Sequence, residues 1–531
     1  MASDKKRTRK DSFTSGVLIL SLSAIIVKII GLVYKIPMLR LLGSEGMGYF
    51  NSAYEIYALF STVATTGLPV AMSVMISSRR ERGAKGIFRA AFLIFLILGA
   101  LGCGIMIAFA KPFAIFLGSG KAAYCILAIS PTVLLICLSS AYRGYFQGKS
   151  RMAPTAISQT VEALGKLILG LIFAFIALGA GFSAEVVAAF AVMGLTLGTA
   201  VSLLYLALAK RLADGSRESL PRDGEKGIIG ELLQTAIPVT LSSSVVSVTR
   251  VIDMSMILRR LQNSGVSAEN SFALYGSYTT LALPLFALAP SLISSVAMPL
   301  IPAISGARAR GDEDGQVTVF GDAVKMTALV SMPIFFGLAL FSEPILRLLF
   351  TGESEAIAVA TPLLTVLGLS VPLSCMITVG NATLQAYGRP SVPIFSMLAG
   401  TLSKIAIAYF LIGNPSIGLM GAPISTFVCD LIINAVNFCF ICRAMPRLPR
   451  FTAILLRPTL AAVVSVVASR LVYGFLLSRI GESHAATLLA ISLAVALYVI
   501  AVLLFGVVGR EELAKLPFVG KAFAKKGKAK C

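Results

Sequence analysis

Apolar stretches of about twenty residues recur from one end of this chain to the other, and nothing else constrains its fold as tightly. Fourteen can be counted, centred near residues 26, 63, 98, 134, 168, 196, 246, 288, 331, 370, 403, 430, 464 and 496. About twenty helical residues cross the hydrocarbon core of a bilayer, and a helix satisfies its own backbone N–H and C=O groups there. The chain is therefore expected to be an all-α polytopic membrane protein with about 14 transmembrane helices. Its 531 residues are 57% hydrophobic and 13% charged, far on the apolar side of soluble domains. No connection between the runs is long enough to hold a soluble domain. The opening cluster Lys5, Lys6, Arg7, Arg9 and Lys10 precedes an apolar run without a small-residue cleavage site, and Lys28 interrupts that run. A retained first span is expected rather than a signal peptide.

Charge gives the orientation. Alternate loops hold 33 of the 46 Lys and Arg: the N-terminal tail, 79 to 89, 143 to 151, 210 to 226, 308 to 325, Arg389, 443 to 457 and the tail from Arg510. Basic loops stay in the cytoplasm, and an even number of spans puts both termini there. The net charge of +21 does not suggest nucleic-acid binding, because no basic module with interleaved aromatics stands outside the spans. The closing KKGKAKC either lies on anionic lipid or is solvated. Cys103, Cys125, Cys137, Cys375, Cys429 and Cys439 fall inside apolar runs as small hydrophobes. Cys439 and Cys442 form a CxxC with neither a second pair nor a nearby histidine, so no disulfide and no metal site is expected.

The chain repeats itself. Tyr49, Leu59, Phe60, Val70, Ala71 and Met72 return as Tyr275, Leu285, Phe286, Val296, Ala297 and Met298, each 226 residues later. Gln147 and Lys166 return as Gln385 and Lys404, again 19 residues apart. Spans one to six thus match seven to twelve, and because six is even the two copies share one orientation, as a parallel repeat. The expected organisation is a basic cytoplasmic tail at 1–13, an N-lobe at 14–209 and a cytoplasmic linker at 210–227. A C-lobe at 228–443, two extra helices within 444–509 and a basic tail at 510–531 follow.

A two-lobed transporter carries its substrate where the lobes face each other, which directs attention to polar residues of spans one, two, seven and eight. Lys28 and Lys35 lie seven residues apart, nearly two turns, so both project from one face of span one. A lysine at bilayer depth costs about 2.5–3.5 kcal/mol. The pair therefore points to a hydrated, cation-lined cavity; the plain alternative is that Lys35 snorkels to the interface. Asn51, Glu55, Ala58, Thr62 and Thr65 form a stripe on span two, with Glu55 available to either lysine. Arg250 and Asp253, three apart on span seven, either pair on their own helix or share that cavity. Lys28, Lys35 and Arg250 against Glu55 and Asp253 leave one positive charge in excess, which suits an anionic substrate, phosphate in particular. Glu162 and Lys166 stand at i and i+4 on span five and are expected to pair with each other. On span twelve Asp430, Asn434 and Asn437 share a face and offer oxygen ligands to a coupling cation, or else Lys404 neutralises Asp430.

The run VKIIGLVYKIPMLRLLGSEGMGYFNSAYEIYALF, with VTRVIDMSMILRRL at 248 to 261 and LQAYGRPSVP at 384 to 393, resembles the SpoVB and YtgP branch of the polysaccharide-exporter families. These are relatives of the MurJ lipid II flippases in the MOP superfamily, which also holds the MATE exporters. The resemblance covers essentially the full chain. It implies a V-shaped, MATE- and MurJ-like fold of two six-helix lobes, working by alternating access. It also implies a polyprenyl-diphosphate-linked sugar, above all lipid II, as cargo exported across the bacterial cytoplasmic membrane for peptidoglycan or spore-cortex synthesis. Against the MurJ pattern, Lys28 stands at the first cavity arginine of span one, and Tyr34 at the second with Lys35 next to it. The cavity arginines of spans two and eight have no basic counterpart here. Asp253 matches the acidic residue of span seven that is linked with sodium, and Asp430 and Asn434 are its implied companions.

On this reading Arg143, Lys149, Arg151 and Arg389 attract the headgroup at the cytoplasmic side, and Lys28, Lys35 and Arg250 hold the diphosphate beside Glu55 and Asp253. The polyprenyl tail stays in lipid along spans thirteen and fourteen, and Gly31, Pro69, Pro284 and Pro290 are the candidate bending points. No catalytic residue and no cofactor is expected beyond Na+ or H+ as coupling ion. The expected partners are a lipid-linked oligosaccharide, membrane lipids and cell-wall synthesis proteins. Two readings compete: a MATE-like cation or drug antiporter, which would want a net acidic or aromatic cavity, and a flippase for another lipid-linked polysaccharide unit. A membrane-embedded glycosyl polymerase or ligase would need catalytic groups near the outer surface, where the loops are short and His484 is the single histidine of the chain.

Overall fold

The computed structural model describes residues 2–78, 84–213, 225–481 and 483–507. Most of the expected linker at 210–227, residues 79–83 of the basic loop and the C-terminal tail lie outside the described residues, as do the side chains of the N-terminal basic cluster. Among the described residues the regular structure is entirely helical. The first half runs α1 (Ala2–Thr65), α2 (Gly67–Ser78), α3 (Ala84–Ala108), α4 (Ala110–Phe116), α5 (Ala123–Gly148), α6 (Ala153–Gly179), α7 (Ala184–Ala213) and α8 (Glu225–Asn263). Then come α9 (Ala268–Ser277), α10 (Leu283–Ala309), α11 (Glu313–Leu349), α12 (Ser354–Ala386), α13 (Ser391–Ile412), α14 (Gly421–Ala444), α15 (Phe451–Ile480) and α16 (His484–Leu504).

Twelve segments of the described residues are long and apolar enough to cross a membrane. The first, Ile26–Ser77, holds two of the fourteen expected spans, because α1 bends instead of ending: Gly43, at φ 65, leaves helical geometry in the middle of it. The seventh expected span corresponds to α8, and each of the fourteen expected centres falls on a helix. Other interruptions sit where proline withholds a backbone donor. The break between α1 and α2 at Thr66 lies three residues before Pro69. A π-helical turn, Tyr278–Ala282, separates α9 from α10, whose first turn contains Pro284. Gly31 lies inside α1 away from its bend, and Pro290 inside α10.

The chain forms two compact units, Met1–Thr280 with Ile412–Leu419, and Leu281–Leu411 with Met420–Cys531. In the first, α8 packs on α1, α2 and α3, and α9 packs on α1. The approach of α9 to α1 is close because both present glycine. A Cβ at Gly48 would collide with the backbone of Phe272, and one at Gly276 with that of Ser44. Beside them the rings of Tyr49 and Phe272 lie 4.5 Å apart, and Ser277 Oγ donates to Ser44 Oγ at 3.1 Å. The far end of α8 is fastened to the last turn of α4. Arg259 Nε donates to the Phe116 carbonyl at 2.6 Å and Ser255 Oγ donates to the same oxygen at 3.2 Å, while Lys121, just after α4, pairs with Glu269 at the start of α9 at 2.7 Å.

In the second unit α11 packs on α12 and α15, and α15 on α16. A buried cluster of Phe341, Val466, Tyr473, Ala486 and Ala490 joins the last two helices to α11, so the pair outside the internal repeat belongs to this unit's core. Because the α1–α9 contact leaves no room for a side chain, Gly48→Val is expected to destabilise the protein by about 1–3 kcal/mol. The melting temperature of the purified protein in detergent should fall accordingly, whereas Gly230→Ala, beside open space, should not lower it.

Candidate functional site

The π-helical turn explains where Lys35 goes. In a π register each carbonyl looks to the N–H five residues on, and the residue five beyond Thr279 is Pro284, which has none. The Thr279 carbonyl accepts instead from Lys35 Nζ at 2.7 Å. Asn51, on the arm of α1 beyond Gly43, holds the same turn from the side. Its Nδ2 donates to Oγ1 of Thr279 and of Thr280, each at 2.9 Å.

One turn further along α1 stands Glu55. Its Oε2 is buried and has no hydrogen-bond partner, and Arg250, Lys35 and Asp253 lie within electrostatic range of it. Thr62 and Ser247 continue this polar face, joining α1 to α8 through a hydroxyl–hydroxyl hydrogen bond of 2.7 Å. Lys35, Glu55, Arg250 and Asp253, separated by up to 218 residues in sequence, are thus brought into one neighbourhood within the first unit. Lys28, two turns earlier on α1, is exposed.

Lys166 completes the group, and here the sequence expectation is corrected. Glu162 does not form an ion pair with it. Its Oε2 accepts from Arg143 Nη2 at 2.7 Å, while Arg143 Nε donates to Ser158 Oγ at 3.0 Å and Nη2 to Ser202 Oγ at 3.4 Å. Arg143 is only 8% exposed, committed to tying α5, α6 and α7 together. Lys166 Nζ lies instead over the rings of Tyr54 at 4.6 Å, Tyr34 at 5.0 Å and Phe50 at 5.4 Å, and acts electrostatically on Lys35. Electron-rich ring faces partly replace the water lost by a buried ammonium. Tyr34 precedes the bend of α1 and Phe50 and Tyr54 follow it; the bend brings the Tyr34 and Phe50 rings to 6.0 Å. The i, i+4 spacing of Phe50 and Tyr54 was the one sequence signal for this enclosure, and the third ring was hidden by the bend.

The remaining sequence candidates are placed elsewhere. Lys149 lies over the Tyr145 ring at 4.6 Å, and Arg151 and Arg389 are exposed. In the second unit Asp430 accepts from Ser374 Oγ. Asn434 Nδ2 donates to the carbonyls of Asp430 at 2.8 Å and Leu373 at 2.9 Å. Asn437 belongs to a separate network, donating to Asn381 Oδ1 and accepting from Ser396 Oγ, each at 2.8 Å. Their shared face ties α14 to α12 and α13. Among the described residues no group of three or more His, Cys, Asp or Glu could hold a metal ion.

Residues 13–308, more than half of the chain and including Lys35, Glu55, Lys166, Arg250 and Asp253, match the model of the family described as polysaccharide biosynthesis protein. The chain belongs to that family. Residues 238–410 also match the MatE family model. Among curated proteins, stage V sporulation protein B of Bacillus subtilis (strain 168) is 27% identical over 96% of this chain and 99% of its own length. The lipid II flippase MurJ of the same organism is 25% identical over 90% of this chain and 92% of its own. Among solved structures, an inward closed conformation of lipid II flippase MurJ superposes with a TM-score of 0.70 at 16% identity, covering 92% of this chain and 99% of that one. An inward-facing multidrug resistance MATE transporter of the MOP superfamily gives 0.64 at 19% identity, covering 83% and 98%. This family member thus has the MOP-superfamily fold, and its spans and relatives make it a multi-pass membrane protein. Removing Arg143 would strand Glu162 in a partly buried setting, so Arg143→Ala should cost about 3 kcal/mol. The double change Arg143→Ala with Glu162→Ala should recover most of that loss in thermal unfolding of the detergent-solubilised protein.

Proposed function

We propose that the protein is a flippase that carries a polyprenyl-diphosphate-linked saccharide, lipid II in the first instance, from the cytoplasmic to the outer leaflet of the bacterial cytoplasmic membrane. The observation that carries this reading is the gathering of Arg250 and Lys35 around Glu55, with Lys166 beside Lys35, within the residues matched by the polysaccharide biosynthesis model. Lys35 Nζ donates to a carbonyl and Lys166 Nζ lies over aromatic rings, so neither ammonium is locked in a close ion pair. A phosphate oxygen forms a stronger, charge-assisted bond than a carbonyl does, and would take Lys35 from Thr279. Glu55 and Asp253 lower the net positive charge, which lets the diphosphate leave again. Lys28, exposed on the same helix, meets the headgroup on its way in, with Lys149, Arg151 and Arg389 as earlier contacts at the cytoplasmic side.

Transport proceeds by alternating access of two repeated lobes, with both termini in the cytoplasm, where the basic loops place them. A Na+ or H+ gradient drives it through Asp253 and the Asp430, Asn434 and Asn437 face. The names of the relatives support a role in peptidoglycan or spore-cortex synthesis, beside other cell-wall synthesis proteins. One observation favours a second reading, a MATE-like antiporter: Glu55 Oε2 is buried without a partner, as a carboxylate that takes up a proton or an organic cation would be.

Complementation separates these readings. In a bacterium depleted of its own lipid II flippase, the wild type is expected to restore growth and lipid II export. Lys35→Ala and Lys166→Ala, matched for membrane expression, should each lower export about tenfold or more, the worth of one charge-assisted hydrogen bond. Failure of a correctly inserted wild type would move the cargo to another lipid-linked polysaccharide unit. Gradient-driven efflux of an organic cation, lost in Glu55→Gln, would favour the antiporter.

A further inference from the structure

Lys35 and Asn51 hold one place, the π-helical turn Tyr278–Ala282 between α9 and α10. The main segment of the first compact unit ends inside that turn, at Thr280. Just before it α9 lies on α1 without slack: Gly48 meets the backbone of Phe272, Gly276 meets that of Ser44, and Ser277 Oγ donates to Ser44 Oγ at 3.1 Å. Thr279 Oγ1 donates back to the Tyr275 carbonyl at 2.7 Å while it accepts from Asn51, so the hold on the turn reaches into α9.

The register of the turn depends on what meets the Thr279 carbonyl. In the π register that oxygen looks to Pro284, which has no N–H, and Lys35 Nζ fills the gap. In an α register it would accept from the N–H of Leu283, four residues on, and would need no side chain. Thr279 is buried, so without Lys35 the π register leaves a carbonyl unmet and the α register does not. Passing from one to the other changes the count by one residue, which turns α9 about its axis by about 100°. Gly276 and Ser277 would then leave Ser44, and the two threonine hydroxyls would leave Asn51.

We propose that Lys35 is a latch that an anion releases. Bonded to Thr279 it keeps the turn in the π register and holds α9 on α1. Drawn to a phosphate oxygen, it lets the turn pass to the α register and α9 part from α1. Asn51 is a second hold on the same turn, through hydroxyls that move with it. The identity of the anion, the diphosphate of a polyprenyl carrier, rests on the flippase reading; the latch itself rests on the hydrogen bonds of the turn.

The test follows the full-length protein carrying Ser277→Cys, in detergent, through the rate at which N-ethylmaleimide modifies the new thiol, read by peptide mass. Ser277 is 2% exposed, beside Ser44, so modification should be slow. Lys35→Met, which keeps the length and loses the donor, should speed it about tenfold with no ligand present. Asn51→Leu should speed it less. Undecaprenyl diphosphate, its binding followed by native mass spectrometry, should speed modification about tenfold where Lys35 is intact and add nothing in Lys35→Met. Native Cys125, buried on α5, reports general loosening and should stay slow throughout. An unchanged rate in ligand-free Lys35→Met, an equal acceleration at Cys125, or undecaprenyl diphosphate bound without acceleration would each overturn the latch. Absence of binding would count against the diphosphate cargo instead, and the ligand-free Lys35→Met rate would still decide the latch.

Discussion

A positive charge placed among apolar helices has to be met by something other than water, and the way each one is met sorts the parts of this molecule. Arg143 is met by a carboxylate and two hydroxyls, and its energy goes into joining α5, α6 and α7. Lys35 is met by a single carbonyl and Lys166 by three aromatic rings. Neutral partners ease the loss of hydration, and neither lysine is locked in a close ion pair as Arg143 is.

Backbone chemistry makes these arrangements available. Pro284 cannot donate, the turn before it takes a π register, and the Thr279 carbonyl is left for a side chain. Gly43 permits a bend that no residue with a Cβ would adopt at low cost, and that bend closes Tyr34 and Phe50 around Lys166. Gly48 and Gly276 let α9 lie against α1 closely enough for Asn51 to reach two threonines of the π turn. Each device is a local departure from the regular helix that the bilayer otherwise demands.

Lys28 stands where MurJ-like proteins are expected to carry the first cavity arginine, and at the second Tyr34 stands with Lys35 beside it. An ammonium is a compact point charge without the planar fork that grips two phosphate oxygens at once. In the proposed flippase a site built of Lys35 and Lys166, with Arg250 as its one guanidinium, would discriminate by charge more than by shape.

The sequence by itself determined the fold class and the family, because twenty-residue apolar runs, basic alternate loops and an internal repeat are one-dimensional signals. It also gave Lys35, Glu55, Arg250 and Asp253, since a charge inside an apolar run is conspicuous wherever it lies. Tertiary structure alone decided the partners. Glu162 has Lys166 one turn away on its own helix and Arg143 on another, and helical spacing favours the first. Packing of α5 against α6 and α7 brings a fork of guanidinium donors to that carboxylate, and geometry favours the second. The aromatic enclosure of Lys166 was hidden for the same reason. It depends on where a chain bends, and a bend relocates residues that no periodicity in the sequence connects.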